Sequence, residues 1–236
     1  MSDGWVIRLE KGMALRWVLG YQFDVNAAAA SAVAQDKVAT HEALKQAGVP
    51  SVEHTLVRVL PSQVFPAKLL AGQFPGPFVL KPLDGTGGRG VQKVASVREA
   101  EKIVNEAGEM AWAASPLYDI AAEYRVIMLD GTPLVMYEKT KPAIEHGLRY
   151  FNLGKGAVPA DILTEDTGAA LEALARQACG ALSLRLASVD IARIDGALCI
   201  LEINDGIMME YYARHSERYK KNAALAYDAI LLTMFH

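Results

Sequence analysis

Residues 187–210, ASVDIARIDGALCILEINDGIMME, contain two short apolar runs joined by Asp195-Gly196. An Asp-Gly pair between two such runs is a strong sequence signal for a β-hairpin. Three side chains with oxygen donors interrupt the apolar pattern: Asp190 in the first predicted strand, and Glu202 and Asn204 in the second. Glu202 and Asn204 are two residues apart and therefore share one face of their strand.

The length of the turn decides whether Asp190 joins that face. A two-residue turn would pair Ile194 with Ala197 and place Asp190 on the opposite face. A three-residue turn, with Gly196 in the left-handed conformation that glycine adopts without strain, would place Asp190 diagonal to Glu202 on the same face. In that case two carboxylates and an amide oxygen converge, and hard oxygen ligands of this kind suit Mg²⁺. The alternative is an edge hairpin whose polar face lies in water.

The composition predicts a folded protein with a substantial core. The chain has 236 residues, 52% hydrophobic and 22% charged, with a formal net charge of −3. This length suits one large domain or two small lobes, and the charge gives no broad attraction to nucleic acid or to an anionic membrane. We expect no membrane span, which needs roughly 18 consecutive apolar residues, and no signal peptide. Cys179 and Cys199 form no motif, as expected for reduced cysteines of a cytoplasmic protein.

A second informative stretch, residues 76–96, combines a predicted strand ending at Lys81 with a loop that contains Gly85, Gly87, Gly88 and Gly90. The glycine spacing matches a dinucleotide-binding fingerprint, but that fingerprint opens a helix, whereas residues 91–95 alternate like a strand. No Lys-Ser/Thr pair follows the glycines, which argues against a Walker loop. The stretch predicts a hairpin lid whose backbone N–H groups approach phosphates, with Lys81 as a fixed cation. An ordinary mobile hairpin is the alternative.

The rest of the chain mixes strand and helix patterns, which predicts an α+β protein. A polar, glycine-rich segment at residues 149–156 carries Arg149 and Asn152. Beyond the two hairpins described above, we predict strands at 54–59, 110–114, 123–129 and 133–139, a helical or mixed segment at 61–73, and helices at 37–47, 97–107, 165–182 and 216–235.

In their order along residues 34–212, these features resemble the ATP-grasp superfamily, and within it the RimK-like and glutathione-synthetase-like carboxylate–amine ligases. Together the matching stretches form a specific signature. They are Asp36-Lys37-Val38-Ala39-Thr40, Val79-Leu80-Lys81-Pro82 with the glycine loop, Glu123-Tyr124-Arg125-Val126, residues 149–154, and Asp190 with Leu201-Glu202-Ile203-Asn204.

The resemblance implies an ATP-grasp fold, in which two α+β lobes with antiparallel sheets clamp the nucleotide. It places a short segment at residues 1–33 and the ATP-grasp domain at 34–236, with a lid lobe at about 34–113 and a C-terminal lobe at about 114–236. Only 35 residues precede Asp36, where many relatives carry a whole N-terminal domain. The chain is therefore expected to be a minimal version or a fragment.

The resemblance also implies roles for individual residues. Lys37, Lys81 and the lid glycines, Gly85, Gly87, Gly88 and Gly90, would contact the nucleotide phosphates. The segment 114–117, including Leu117, would lie along adenine, with Asp119 near the ribose. Asp190, Glu202 and Asn204 would hold Mg²⁺ or Mn²⁺, while Arg125, Arg149 and Asn152 would be catalytic, the last two facing the γ-phosphate and the acyl phosphate.

The function implied by the resemblance is ATP-dependent ligation of a carboxylate to an amine through an acyl phosphate. The expected substrate is a small amino acid or peptide, with no nucleic acid or membrane partner, and a homo-oligomer is compatible with the sequence. An ATP-grasp phosphotransferase and a non-catalytic ATP-binding module are the alternatives.

Overall fold

The computed structural model describes residues 5–58, 64–83, 85, 88–108, 110–145, 147–162 and 164–236. The strands are β1 (Val6–Lys11), β2 (Ala14–Leu19), β3 (Gln22–Phe23), β4 (Thr55–Val57), β5 (Phe78–Pro82), β6 (Gln92–Val94), β7 (Trp112–Pro116), β8 (Ile120–Leu129), β9 (Thr132–Thr140), β10 (Ala143–Glu145), β11 (Leu148–Tyr150), β12 (Val158–Ala160), β13 (Leu186–Ile194) and β14 (Ala197–Asn204). The helices are α1 (Ala28–Gln35), α2 (Lys37–Gln46), α3 (Ala67–Gln73), α4 (Val97–Glu106), α5 (Glu165–Ala181), α6 (Glu210–Ala213) and α7 (Glu217–Thr233). The predicted α+β class is confirmed. Residues 59–63, which include parts of a predicted strand and of a predicted mixed segment, lie outside the described residues.

The small lobe is an antiparallel sheet of four strands in the order β4-β7-β5-β6. Its apolar face packs with α3 and α4 into a core that includes Phe78, Leu80 and Val104. Helix α4 begins where the sequence predicts, because the Ser96 hydroxyl accepts a hydrogen bond from the backbone N–H of Glu99, while the Glu99 carboxylate accepts one from Ala95. The pair is a variant of the capping box, because Glu99 bonds to Ala95, one residue before the N-cap, instead of to Ser96 itself. Strands β5 and β6 pair as the predicted hairpin around the glycine loop.

The large lobe is an antiparallel sheet of five strands in the order β12-β9-β8-β13-β14. One face packs against α1, α2 and α5, with Leu171, Val189 and Ile203 at its centre. The other face is covered at one end by α6 and α7, where Tyr137 and Ile230 are buried. The remaining part of that second face carries charged side chains instead of apolar ones.

The division between the lobes differs from the sequence-based prediction, which began the lid lobe at residue 34. Ala34, Leu44 and Val49 belong to the core of the large lobe, so α2 packs with the five-stranded sheet. The small sheet is built from residues 55–116. The apolar pattern of α2 predicts that one face of the helix is buried, but it does not predict in which core. Only the tertiary packing shows that.

The N-terminal residues form a third sheet, in the order β1-β2-β3. Asn26 attaches the end of this segment to the large lobe, because its side chain accepts from the backbone N–H groups of Arg185 and Leu186 and donates to the Leu186 carbonyl. In the described part of the chain, no helix is long and apolar enough to cross a membrane.

Candidate functional site

The hairpin of β13 and β14 brings Asp190 and Glu202 directly opposite each other. Its turn has two residues, 195–196, with φ angles of 49° and 82°, as a type I′ turn requires. The register then shifts by one residue, which leaves Leu201 as a β-bulge and pairs Asp190 with Glu202 and Ser188 with Asn204. Directly opposite residues share a face. The shared face thus comes from a two-residue turn with a bulge, and the three-residue turn is not formed.

The hairpin of β8 and β9 uses the same device. Its turn at 130–131 also has two residues with positive φ, and a register shift leaves Leu134 unpaired. Glu123 therefore lies opposite Lys139, and both side chains project from the face that carries Asp190. The sequence analysis missed Lys139 and Glu123. Counting outward from the turn without a bulge would place Glu138 opposite Glu123. The bulge places Lys139 there instead, and the sequence does not indicate this bulge.

Four charged side chains form a buried cluster at this face. Arg125 donates from Nε to Oδ1 of Asp190 and from Nη2 to Oδ2, at 2.7 Å in both cases. Lys139 Nζ lies 2.9 Å from Asp190 Oδ1 and also donates to Glu123. Asp190 is 4% exposed and Lys139 is 3% exposed. Two cations and two carboxylates thus neutralise each other where water is excluded.

The pKa values of the two carboxyl groups in this cluster are shifted in opposite directions. Burial alone would raise the pKa of Asp190, but the charges of Arg125 and Lys139 outweigh it and lower that pKa to about 2. Burial raises the pKa of Glu123, and Lys139 opposes that rise only in part. Asp190 is therefore a fixed anion, and Glu123 is the acid of the cluster that takes a proton more readily.

Lys37 connects the two lobes at the cleft between their sheets. The Asp36 carboxylate caps α2 by accepting from the backbone N–H groups of Val38 and Ala39, so Lys37 occupies the first turn of the helix. Its Nζ lies 2.8 Å from the carbonyl oxygen of Gly85 and 3.4 Å from a carboxylate oxygen of Glu202. One cation therefore contacts both the glycine loop and the strand of Glu202.

Lys81, the second predicted phosphate ligand, is the next-to-last residue of β5 and lies at the same cleft. Its Nζ lies 3.5 Å from Nε2 of His54. Burial lowers the pKa of Lys81, and Glu202 opposes that effect while Lys37 adds to it.

The glycine loop packs closely on its own strand. A methyl group added at Gly90, where φ is +70°, would lie 2.8 Å from Cγ of Pro82, and one added at Gly85 would lie 3.1 Å from Cβ of the same proline. At Gly88, with φ of +72°, it would lie 3.3 Å from the ring of Tyr150. The lid therefore touches the hairpin of β10 and β11. Gly87 lies outside the described residues.

The other predicted residues lie in the link between the two sheets and in or just after β11. Leu117 and Asp119 belong to the link from β7 in the small sheet to β8 in the large sheet. Arg149 is exposed, with Nη1 at 3.2 Å from the Asp119 carboxylate and 3.1 Å from the Ile120 carbonyl oxygen. Asn152 accepts a hydrogen bond from the backbone N–H of Gly154. Arg149 thus pairs with the predicted ribose residue, and Asn152 caps a local turn.

The donor set of the predicted metal site fits a hard cation. In the described part of the chain, no group of three or more His, Cys, Asp or Glu side chains is arranged to hold a metal ion. Glu202 and Asn204, however, supply a carboxylate and an amide on one face, with the Glu202 side chain 29% exposed. Asp190 Oδ2 accepts one hydrogen bond and keeps an acceptor position. Two carboxylates and an amide suit Mg²⁺, which keeps other positions for water and phosphate.

Several solved structures that align with this chain are ligases, among them an ATP-grasp ligase. D-alanine–D-alanine ligase from Bacillus anthracis aligns with a TM-score of 0.66 at 16% identity over 88% of this chain and 68% of that one. ATP-grasp ligase PsnB, complexed with minimal precursor, gives 0.61 at 17% identity over 89% and 64%. L-amino acid ligase from Bacillus licheniformis gives 0.54 at 18% identity over 76% and 42%. No protein-family model and no curated protein sequence matches the chain.

At these identities the similarity establishes the fold. The alignments span most of the chain, including both antiparallel sheets. The structure of the Bacillus anthracis enzyme complexed with ATP aligns with a TM-score of 0.63.

Proposed function

Starting from the ATP-grasp fold of the chain, we propose that it is an ATP-dependent ligase that joins a carboxylate to an amine through an acyl phosphate. One observation carries the proposal: Lys37 bridges the glycine loop and Glu202, beside Lys81, at a single cleft between two sheets. Several ligases that act on amino acids or peptide precursors share the fold. We therefore propose a small amino acid or a peptide as the substrate.

In the proposed complex, the cations of the cleft bind the phosphates of ATP. Lys37 and Lys81 approach from opposite lobes and supply two point charges, while Gly85, Gly88 and Gly90 let the backbone come close to the phosphate oxygens. The link at 117–119 lies along the nucleoside, with Asp119 as the acceptor for the ribose hydroxyls. Asp119 is then released from Arg149 when ATP binds.

Glu202, Asn204 and the free acceptor position of Asp190 would hold the metal ion. When bound, Mg²⁺ neutralises charge on the phosphate oxygens and fixes their position relative to the acceptor. Arg125 and Lys139 act one step further away, because they orient the Asp190 carboxylate and keep it ionised.

The reaction needs no side-chain nucleophile. A carboxylate oxygen of the substrate attacks the γ-phosphorus of ATP and ADP leaves, which gives an acyl phosphate. The amine then attacks the acyl carbon, phosphate leaves and the amine loses a proton. Arg149, once free of Asp119, would grip phosphate oxygens as a fork, and Asn152 would donate to a third oxygen.

Trapping with hydroxylamine tests this proposal. The protein is incubated with ATP, Mg²⁺ and a panel of amino acids and short peptides, with hydroxylamine in place of the amine. We expect ADP and an acyl hydroxamate to form in equal amounts with one member of the panel, and neither to form with Lys81→Ala. ADP with phosphate on a substrate hydroxyl would identify a phosphotransferase instead. Binding of ATP without any turnover across the panel would favour the non-catalytic module.

A further inference from the structure

Two buried histidines line the same pocket as Lys37 and Glu202, and the reaction proposed above assigns them no role. His54 is 6% exposed and His41 is 8% exposed, and their rings meet edge to face with centroids 6.4 Å apart. Nδ1 of His41 lies 2.9 Å from the hydroxyl of Ser51. Buried imidazoles of this kind need partners for both ring nitrogens, and the partners of His54 are informative.

His54 is fixed between the two lobes by the backbone on either side of it. Val52 donates its N–H to the carbonyl of Ile200 in β14, and Ile200 donates to the carbonyl of Pro50. Directly after His54 the chain enters β4 of the small sheet. The imidazole is therefore attached to the metal-site strand on one side and to the small sheet on the other.

The contacts of His54 determine its protonation and its tautomer. Nε2 lies 3.5 Å from Nζ of Lys81, at the long limit of a hydrogen bond. Burial lowers the pKa of His54 to about 2, and the charges of Lys81, His41 and Lys37 contribute to that shift. The ring is neutral, and because Nε2 faces the ammonium donor, its single proton belongs on Nδ1, which leaves the Nε2 lone pair as the acceptor.

We propose that His54 is a positioning residue that accepts a hydrogen bond from Lys81 and directs its remaining N–H groups at the phosphates of a bound nucleoside triphosphate. The proposal rests on the phosphate-binding role proposed for Lys81. A lysine ammonium is a point charge on a flexible stem, with three donors that rotate freely. One fixed acceptor removes much of that freedom before the nucleotide arrives, which lowers the entropic cost of binding.

A double-mutant cycle on Mg-ATP affinity tests the coupling. Calorimetry compares the wild type with His54→Leu, Lys81→Met and the double variant. We expect His54→Leu to weaken Mg-ATP binding about fivefold, the effect of losing one hydrogen bond. In the Lys81→Met background the same change should have no further effect, because His54 acts through the lysine. Full additivity of the two effects would overturn the proposal.

Two further variants separate positioning from packing. His54→Gln keeps an acceptor near the position of Nε2, and we expect it to retain Mg-ATP affinity within about twofold of the wild type. His41→Leu alters the neighbouring buried ring but not the His54–Lys81 contact. We expect it to lower the melting temperature, and we expect the effects of His41→Leu and Lys81→Met on Mg-ATP affinity to be additive. If His54→Gln binds as weakly as His54→Leu, the acceptor is not the reason for the loss.

Nitrogen NMR of the nucleotide-free protein tests the proposal without relying on ligase activity. In protein labelled with ¹⁵N-histidine, we expect His54 to stay neutral down to pH 5 with its proton on Nδ1, and its Nε2 signal to move in Lys81→Met. If this pattern is present but the wild type does not bind Mg-ATP, the proposed function fails while the His54–Lys81 pair stands. If ATP binds but His54 carries its proton on Nε2, the positioning role is wrong and the proposed function is untouched.

Discussion

At the scale of single residues, the cleft depends on Lys139, which contacts the predicted metal ligand Asp190. Lys139 is 3% exposed, and its ammonium group contacts Glu123 and Asp190 together. Removing one member of a buried ion-pair network leaves its partner charged without compensation, which is more costly than losing the pair as a whole. Lys139 therefore contributes to the fold and to the orientation of Asp190 at once.

We predict that Lys139→Met lowers the free energy of unfolding by roughly 3 kcal/mol or more. The matched control is Lys102→Met, because the Lys102 side chain is 76% exposed and should cost no more than about 0.5 kcal/mol. Adding Glu123→Gln to Lys139→Met should recover part of the loss, since both charges are then gone. Urea denaturation at neutral pH measures all four proteins. A loss in Lys139→Met no larger than the control would contradict the network.

At the scale of elements, the sequence was sufficient to predict the strands of the hairpins but not the registers in which they pair. The Asp-Gly turn and alternating apolar residues predicted the hairpin of β13 and β14, and strands were predicted at 123–129 and 133–139. The sequence also predicted that α2 and α4 begin at residues 37 and 97, where Asp36 and Ser96 cap them in the structure. The one-residue bulges at Leu134 and Leu201 have no such signal. A bulge forms when the packing of both faces is better with one residue extra, and that depends on strands distant in sequence.

The same limit applies to the cleft. Lys37, Lys81 and Glu202 could be selected from local motifs, but Lys139 and His54 acquire their roles from pairing and packing. Arg149 stays a predicted phosphate ligand, and only the tertiary structure shows that its exposed guanidinium pairs with Asp119 in the nucleotide-free protein.

The glycine lid gives a prediction at this scale, with a control inside the chain. Gly90 and Gly108 both have φ of +70°, but an added methyl group would meet Pro82 at Gly90 and nothing within 4 Å at Gly108. Both changes to alanine carry the backbone cost of a left-handed residue, about 1 kcal/mol. Gly90→Ala adds the clash, so the lid must shift, and we expect Mg-ATP affinity to fall about tenfold. Gly108→Ala should bind as the wild type does in calorimetry. Equal affinities of the two variants would show that the lid does not contact the nucleotide.

At the scale of the whole molecule, two lobes with separate cores meet at a polar cleft. The chain crosses between the sheets near residues 52–55 and 117–119, and Lys37 adds a side-chain link from α2 to the glycine loop. Among the described residues, each lobe has its own apolar core. A ligand that contacts both sides of the cleft should therefore stabilise the molecule as one unit.

Mg-ATP should raise the melting temperature, and the rise should depend on Lys37. A ligand that binds only the folded state at about 100 times its Kd adds about 2.7 kcal/mol to stability. Lys37→Met removes both the cation that would contact the phosphates and the link to Gly85. The same ATP concentration should therefore raise the melting temperature by less than half as much as in the wild type. Lys45→Met, in the last turn of the same helix, is the control and should keep the full shift, because Lys45 is exposed. Thermal scans at several ATP concentrations, with and without Mg²⁺, measure the effect. If Lys37→Met and Lys45→Met shift equally, Lys37 does not contact the nucleotide, and the cleft between the lobes is not where ATP binds.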